Sequence, residues 1–516
     1  MKTESVPVRN EGKLLLAALG CAVIHHYLFY GKTWGVSFPL FVILFYVYYY
    51  WAVREKRELR LEPSMALAVP VLLLSFTYVA HSNLLLLVFN ALVVPLLIVA
   101  HTTWHMAEER PKTPFILRLL DQVFVQTLRY VPRPVIVTFR ALSFKMKAGR
   151  SQELMKVLIG LVVSIPLLLA VVALLASADS MFDRALARLP ELTSGLELGQ
   201  TLFRALWIAC IATGLFAYVQ GLLQTKLGPR RAAEEDFATG FEPPATTPAA
   251  TPATVPGAAV APSAAVPRID ATVAATVLIL LNAVYLLFAF VQFSYFFGGG
   301  AAELPEGITY ASYARKGFAE LVVVTLINLT VLMTMLYGVK RPGPAAWRFL
   351  RALLGVLVGC TGIMLSSAYL RLSMYEEAYG YTVARLLVHA FMLFLLVLFI
   401  LALVKLWRER LPLLRCYAVV TVIGYVIVNY FGIDAAVTRG NIQRYEATGR
   451  LDAAYLGSLG YEVVPLLLEL KRKHPAAEGV DEALQSFRSR IESGKPASWT
   501  EFNWPEWRAA KALEEQ

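Results

Sequence analysis

The chain has 516 residues, 57% of them hydrophobic and only 16% charged, with a formal net charge of +11. Soluble domains carry about a quarter charged residues. Here the apolar residues are also gathered into blocks of about 20, the length that crosses a hydrocarbon layer at 1.5 Å per residue, so an ordinary soluble protein is excluded. The positive charge lies mostly in alternate short connections and no recognition module accompanies it, which argues against a nucleic-acid partner and for a topology signal facing the lipid bilayer.

Taken in chain order, the apolar blocks fall at 13–31, 35–53, 63–80, 84–103, 155–178, 200–224, 270–297, 317–338, 352–370, 382–404 and 413–431. The first lacks a small-residue cleavage site and is soon followed by the second, so no cleavable leader is expected. Lysine and arginine concentrate before the first block, after the second (Arg54, Lys56, Arg57, Arg60) and after the fourth, where nine lie between Arg110 and Arg150. They recur in the linker after the sixth (Lys226, Arg230, Arg231, Arg268), after the eighth (Lys340, Arg341, Arg348, Arg351) and after the tenth (Lys405, Arg408, Arg410, Arg415). The intervening connections hold few, down to none in His81-Ser82-Asn83. Positive residues resist translocation. Eleven spans, with a cytoplasmic N-terminus and an extracytoplasmic C-terminus, satisfy that rule in every connection.

The expected fold class is therefore all-α: a polytopic transmembrane bundle of about eleven spans with a small C-terminal extracytoplasmic helical domain. Residues 1–110 hold four spans and 111–154 a cytoplasmic amphipathic and basic segment. Residues 155–228 hold two spans joined by an outer loop, and 229–268 form an Ala/Pro/Thr-rich linker without apolar period. Residues 269–431 hold five spans and 432–516 the C-terminal domain. No repeat relates the two groups of spans, which removes support for an inverted-repeat carrier. Within 114–131, Phe115, Ile116, Leu119, Leu120, Val123, Phe124 and Leu128 share one face opposite Arg118, Asp121, Gln122 and Arg129. This reads as an interfacial helix ended by Pro132 and Pro134, or as a helix packed under the bundle. The tail alternates short amphipathic segments with turn signals. Its Trp499, Trp504 and Trp507 are either core or an interfacial anchor.

Chemistry-bearing residues are sparse. Cys21, Cys210, Cys360 and Cys416 form no CxxC pair and read as small apolar residues. His101 and His105 have i, i+4 spacing, but Thr102 stands where a zinc protease needs glutamate. With His25 and His26 far away in depth, no four-ligand set assembles; His101 and His105, at the cytoplasmic end of the fourth span, read as neutral interface histidines. Gly298-Gly299-Gly300 lacks the phosphate-loop pattern. Neither a metal nor a cofactor is implied. Asn282, Asn328 and Gln220 read as interhelical hydrogen-bond formers inside spans.

The most patterned residues lie in the connections expected outside. Asp179 and Asp183 follow the fifth span, and Gln292 lies in Gln292-Phe293-Ser294-Tyr295-Phe296-Phe297-Gly298 at the end of the seventh. Tyr310, Tyr313, Arg315 and Glu320 precede the eighth. Arg371, Tyr375, Glu376 and Tyr379 lie between the ninth and tenth; Arg385 and His389, one turn apart, lie in the outer half of the tenth, and Asn441, Arg444 and Tyr445 follow the eleventh. A charge near a span end is costly unless paired or hydrated, so Glu376, Glu377 or Glu320 is expected to pair with Arg371, Arg315 or Arg385. The cluster reads either as a polar vestibule roofed by the tail or as ties that hold loop corners at head-group level.

These segments resemble an uncharacterised family of bacterial multi-spanning membrane proteins defined by a domain of unknown function, the 4173/4153 group. The resemblance rests on the Gln292 segment, on Tyr310-Ala311-Ser312-Tyr313-Ala314-Arg315-Lys316-Gly317-Phe318 and on Tyr375-Glu376-Glu377-Ala378-Tyr379-Gly380-Tyr381-Thr382 with Arg385. It also rests on Asn441-Ile442-Gln443-Arg444-Tyr445, Leu451-Asp452 with Tyr455-Leu456, and Phe502-Asn503 beside Trp499. It spans roughly 150 to 510. The family's Asn-Pro-Asp after the last span is here Asn429 to Asp434 without the proline. The resemblance implies a plasma-membrane protein of one architecture and supplies no activity.

Three functions fit these residues. One is an envelope protein whose bundle anchors a C-terminal domain that binds or senses a protein or envelope partner. The second is a secondary transporter, flippase or channel-like protein with an outward-facing polar vestibule. The third is a membrane transferase, with Asp179 and Asp183 as metal or base candidates.

Overall fold

The computed structural model describes residues 8–54, 62–107, 114–143, 198–224, 269–297, 318–340, 343–494 and 498–515. It is 86% helical, and no strand occurs among the described residues. Ten of the eleven apolar blocks coincide with helices; the block at 155–178 lies outside the described residues. Nine described helices are long and apolar enough to cross a membrane, and a tenth, Ser37–Val53, is apolar but has 17 residues. This is an integral membrane protein. The chain divides into two compact units, residues 1–240 with 494–507 and residues 241–493 with 508–516, and the boundary falls inside the Ala/Pro/Thr-rich linker.

In the first unit, α1 (Val8–Phe29), α2 (Ser37–Val53), α3 (Ala68–Ala80) and α4 (Leu84–His105) precede a strap of short helices. The strap comprises α5 (Phe115–Leu120), a π turn (Asp121–Gln126), α6 (Thr127–Tyr130) and α7 (Arg133–Ser143), and α8 (Leu198–Gln224) completes the set. Asn83 caps α4 by accepting from the Leu86 amide at 3.1 Å, as its position before an apolar run anticipates. The π turn sits where the strap meets α8. A Cβ at Gly221 would lie 3.1 Å from Gln122 Nε2 and 3.3 Å from the Gln126 carbonyl, so glycine permits that approach. Gln122 is buried there, whereas Ile116, Phe124 and Leu128 are more than 60% exposed. An apolar face left uncovered in this way fits a bilayer surface better than a site beneath the bundle.

His101 and His105, in the last turns of α4, are fully buried. His101 Nδ1 lies 3.0 Å from the Tyr46 hydroxyl, and His105 Nδ1 lies 2.8 Å from that of Tyr49. Aromatic packing between α2 and α4 brings the rings together, which the spacing on α4 alone does not reveal. No group of metal-ligating side chains occurs among the described residues.

Residues 498–503 of the tail lie against this unit. The Asn503 amide donates to the carbonyls of Tyr78 and His81, both at 2.9 Å, and Glu501 Oε2 accepts from Thr33 Oγ1 at 2.9 Å. Val36 N donates to Phe502 O at 3.2 Å. Trp499, Trp504 and Trp507 are 61%, 50% and 45% exposed, so they are not a core.

The second unit holds α9 (Ala271–Phe297), α10 (Phe318–Gly338), α11 (Pro344–Tyr379), α12 (Val383–Trp407) and α13 (Leu413–Tyr430). Its tail adds α14 (Ile433–Thr448), α15 (Ala453–Gly457), α16 (Val464–Lys473) and α17 (Val480–Ser493), and α18 (Trp504–Glu514) ends the described chain. Two apolar clusters stack along the spans. One centres on Leu278, Leu332, Leu354, Leu357 and Phe399. The other centres on Met364, Leu365, Ala368, Leu372, Met392 and Leu395. Between them, Asn328 donates to Thr361 Oγ1 at 2.9 Å and accepts from the Tyr285 hydroxyl at 2.7 Å. Asn282 donates to the Leu353 carbonyl at 2.8 Å. Gln220, in the first unit, bonds Glu11.

Gly35 marks the tightest contact of the 498–503 segment, since a Cβ there would lie 2.5 Å from the carbonyl oxygens of Glu501 and Phe502. Gly35→Ala is expected to release that segment, and Asn503→Ala to weaken it in the same direction. Limited proteolysis of the full chain in detergent checks both, as faster cleavage near residue 500.

Candidate functional site

Helix α11 runs beyond its apolar block. The apolar block ends at 370, which puts Tyr375, Glu376 and Tyr379 in a connection, but α11 has 36 residues and continues to Tyr379. It stops at Gly380, whose φ of +88° is costly for any side-chain-bearing residue. A Cβ at Gly380 would also lie 2.7 Å from Asn441 Oδ1. Three residues, Gly380 to Thr382, turn the chain into α12, where the Thr382 hydroxyl accepts from the Arg385 amide at 3.4 Å.

What holds this corner is α14. The Asn441 side chain takes both backbone polar groups of one residue, accepting from Tyr381 N at 3.0 Å and donating to Tyr381 O at 2.8 Å. Arg444 donates from Nε to the Glu377 carbonyl at 3.0 Å and from Nη2 to the Ala378 carbonyl at 2.8 Å. Those are two of the carbonyls that the end of α11 leaves without helical partners, and a cation there also meets the negative end of the helix dipole. The Tyr381 ring lies against Gly440, where a Cβ would approach within 2.8 Å. Val383 N donates to the Tyr455 hydroxyl at 2.9 Å. Burial pushes the Tyr455 phenol above its ordinary value, which keeps it protonated. Gly432, with a φ of +71°, makes the turn that brings α14 back from α13.

Beneath the corner, Glu376 and His389 face one another across α11 and α12, with Oε2 and Nδ1 3.3 Å apart and both side chains buried. His389 Nε2 lies 3.4 Å from the Tyr369 carbonyl and 3.5 Å from Ser373 Oγ, and its ring packs on Tyr369 at 4.3 Å. The Arg385 guanidinium lies 4.4 Å from the Tyr375 ring centroid and donates to the Gly380 carbonyl. Among the described residues, the ion-pair partner of Glu376 is His389, and Arg315 lies outside them. The helical extension rotates Glu376 towards α12, where His389 is nearer its depth. One turn further in, Leu372 and Met392 are 1% exposed, so the polar pair is closed below by apolar packing.

The other expected members divide. Tyr379 stacks on Tyr375 at 4.8 Å, and Tyr445 meets the His474 ring edge-on at 5.6 Å. Arg371 is buried on α11, whereas Glu320 is exposed in the first turn of α10. The Gln292 side chain and all of Asp179, Asp183, Tyr310, Tyr313 and Arg315 lie outside the described residues. Gly380, Tyr381, Gly440 and Tyr455 complete the corner without having been singled out. Gly380 and the two tyrosines stand in the quoted motifs, and Gly440 is legible only once its close approach to Tyr381 is known.

In the tail, Gly457 lets α15 sit on α17, with a Cβ there only 3.1 Å from Ala483 Cβ. Arg490 Nη2 donates to the Gly457 carbonyl at 2.8 Å while its guanidinium covers the Phe487 ring at 4.2 Å. A cavity of about 440 Å³ on α16 and α17 is lined by Lys471, Asp481, Gln485, Arg488, Ser489 and Glu492, among others.

A family model described as a domain of unknown function, DUF4153, matches residues 68–470. The chain belongs to the DUF4153 family. No curated protein and no solved structure matches it. The DUF4153 match begins earlier and ends sooner than the resemblance suggested. It includes the whole corner from Arg371 to Tyr455, and it stops within α16, before every residue that lines the cavity.

Removing one partner of a buried ionisable pair leaves the other uncompensated, at a cost of about 3 kcal/mol. His389→Ala is therefore expected to lower the unfolding temperature of the purified DUF4153 protein well below that of wild type. The double variant Glu376→Leu/His389→Leu, which leaves no orphan charge, is expected to fall between them. Equal melting of all three, followed by tryptophan fluorescence, contradicts a structural pair.

Proposed function

We propose that this membrane protein is an anchored partner-binding or sensing module. In this reading the bundle lies in a bacterial plasma membrane with its N-terminus in the cytoplasm, and it holds the helical tail on the extracytoplasmic side for a protein or envelope partner. The observation that carries the reading is the corner. The tail is attached by side chains that grip the backbone of the α11–α12 turn, Asn441 on Tyr381 and Arg444 on Glu377 and Ala378. Such contacts fix a domain's orientation while leaving its far face free. The tail carries a mixed-charge cleft between Lys471 and Glu492, suited to a polar surface of both signs.

A second reading, a secondary transporter, flippase or channel-like protein, rests on the buried Glu376–His389 pair. A buried carboxylate beside an imidazole is a common way to carry a proton through a membrane protein. Apolar packing by Leu372, Met392 and Leu395 directly beneath the pair favours the anchored module. The membrane transferase rests on Asp179 and Asp183, and nothing further supports it.

The two leading readings separate in a strain that lacks the gene and shows an envelope-stress defect. Asn441→Ala/Arg444→Ala, which loosens the tail, is expected to lose complementation at normal protein levels. Glu376→Gln/His389→Gln, which keeps hydrogen-bonding shape but abolishes proton exchange, is expected to retain it. The reverse pattern supports the transport reading and overturns the anchored module.

A further inference from the structure

A second built site lies in the first unit, apart from the corner. A cavity of about 510 Å³ is lined by Glu11, Arg129, Tyr130, Arg133 and Gln224, with Pro132 and Ile136. Its depth is marked independently. Glu11 is the first residue of the candidate span Glu11–Phe29, and Gln224 is the last of Phe203–Gln224. The strap beside it, α5 to α6, turns Ile116, Phe124 and Leu128 outward. Span ends and an exposed apolar helix both belong at head-group level.

The charges at the cavity are unevenly satisfied. Glu11 is 3% exposed. Its Oε1 accepts from Arg133 Nε at 3.3 Å, Arg133 Nη2 at 3.1 Å and Gln220 Nε2 at 3.3 Å. Its Oε2 is buried and accepts nothing. A buried carboxylate oxygen without a donor is costly, and here the residue that carries it lines an open volume. Arg133 is half-exposed, and Arg129, also exposed, adds a second guanidinium to the same wall. With Glu11 ionised, the lining carries one net positive charge. It therefore favours a ligand with an anionic group for the arginines and an N–H or O–H donor for Glu11.

We infer that this cavity binds the head group of a phospholipid with a primary ammonium, of the phosphoethanolamine type. The phosphate lies against Arg129 and Arg133, and the ammonium supplies the donor that Glu11 Oε2 lacks. Arginine suits the phosphate through its planar fork of donors, and the ammonium–carboxylate contact is charge-assisted. The acyl chains continue along the exposed apolar face of the strap. A choline head group has the same phosphate and charge but no N–H, so it loses the Glu11 contact. A free phosphate or free phosphoethanolamine shares the head-group chemistry without the chains.

The test uses the full chain, purified in detergent and delipidated, then titrated with phosphatidylethanolamine or phosphatidylcholine of identical chains and read by native mass spectrometry. Wild type is expected to retain the ethanolamine lipid about tenfold better, the size of one charge-assisted hydrogen bond. Glu11→Gln is expected to bring the ratio close to one, and Arg129→Ala to weaken both lipids alike. Excess free phosphoethanolamine is expected to compete poorly. Equal retention of the two lipids by wild type overturns the inference and needs no variant to fold. A preference that survives in folded Glu11→Gln also overturns it, as does displacement of the lipid by free phosphoethanolamine at comparable concentration, which assigns the cavity to a soluble ligand.

Discussion

A hydrocarbon layer offers no hydrogen bonds, so a chain that crosses it must satisfy its backbone within each helix and leave its charges at the ends. Every notable feature of this protein follows from that constraint. The polar residues that remain within spans are paired across helices, as Asn328 is with Thr361 and Tyr285, and His101 with Tyr46. The residues able to do chemistry collect where helices end: Glu11 and Arg133 at one place, Glu376, His389 and Arg385 at another.

At the second of these places, a helix end becomes an attachment point. The last carbonyls of α11 have no partners within the helix, and a domain that supplies donors to them is held by direction as well as by contact. Arg444 does this from α14, and Asn441, three residues earlier and therefore on the same face, holds Tyr381 in the turn that follows. Most of the strength of this junction lies in hydrogen bonds to backbone. The side chains at Glu377 and Ala378 are thus free to vary, whereas Gly380 and Gly440 are not, because a Cβ at either collides with the opposing residue.

Much of this was legible from residue order. Block length and hydropathy located ten helices. The turn signals Gly449, Gly460 and His474-Pro475 divided the tail where helices begin and end. What escaped has physical causes. The length of α11 escaped because its final turns, Arg371 to Tyr379, are polar, and only a tertiary partner, Arg444, stabilises a helix end there. The Glu376–His389 pair escaped because pairing across two helices depends on their rotation and depth, which sequence spacing within either helix does not contain. The π turn in the strap escaped because it answers to the close approach of Gly221, about a hundred residues away. The charge-based assignment of sides is of another kind, since it is a statement about the membrane and is read from loops rather than from packing.

The central claim is that the corner and the tail it holds face away from the cytoplasm. A tandem reporter fused after Gln516 of the full chain, alkaline phosphatase followed by a fluorescent protein that matures only in the cytosol, measures it directly in a bacterial host. The account predicts high phosphatase activity and no fluorescence. Bright fluorescence with inactive phosphatase places the tail in the cytosol, removes one crossing from the proposed set and contradicts the claim.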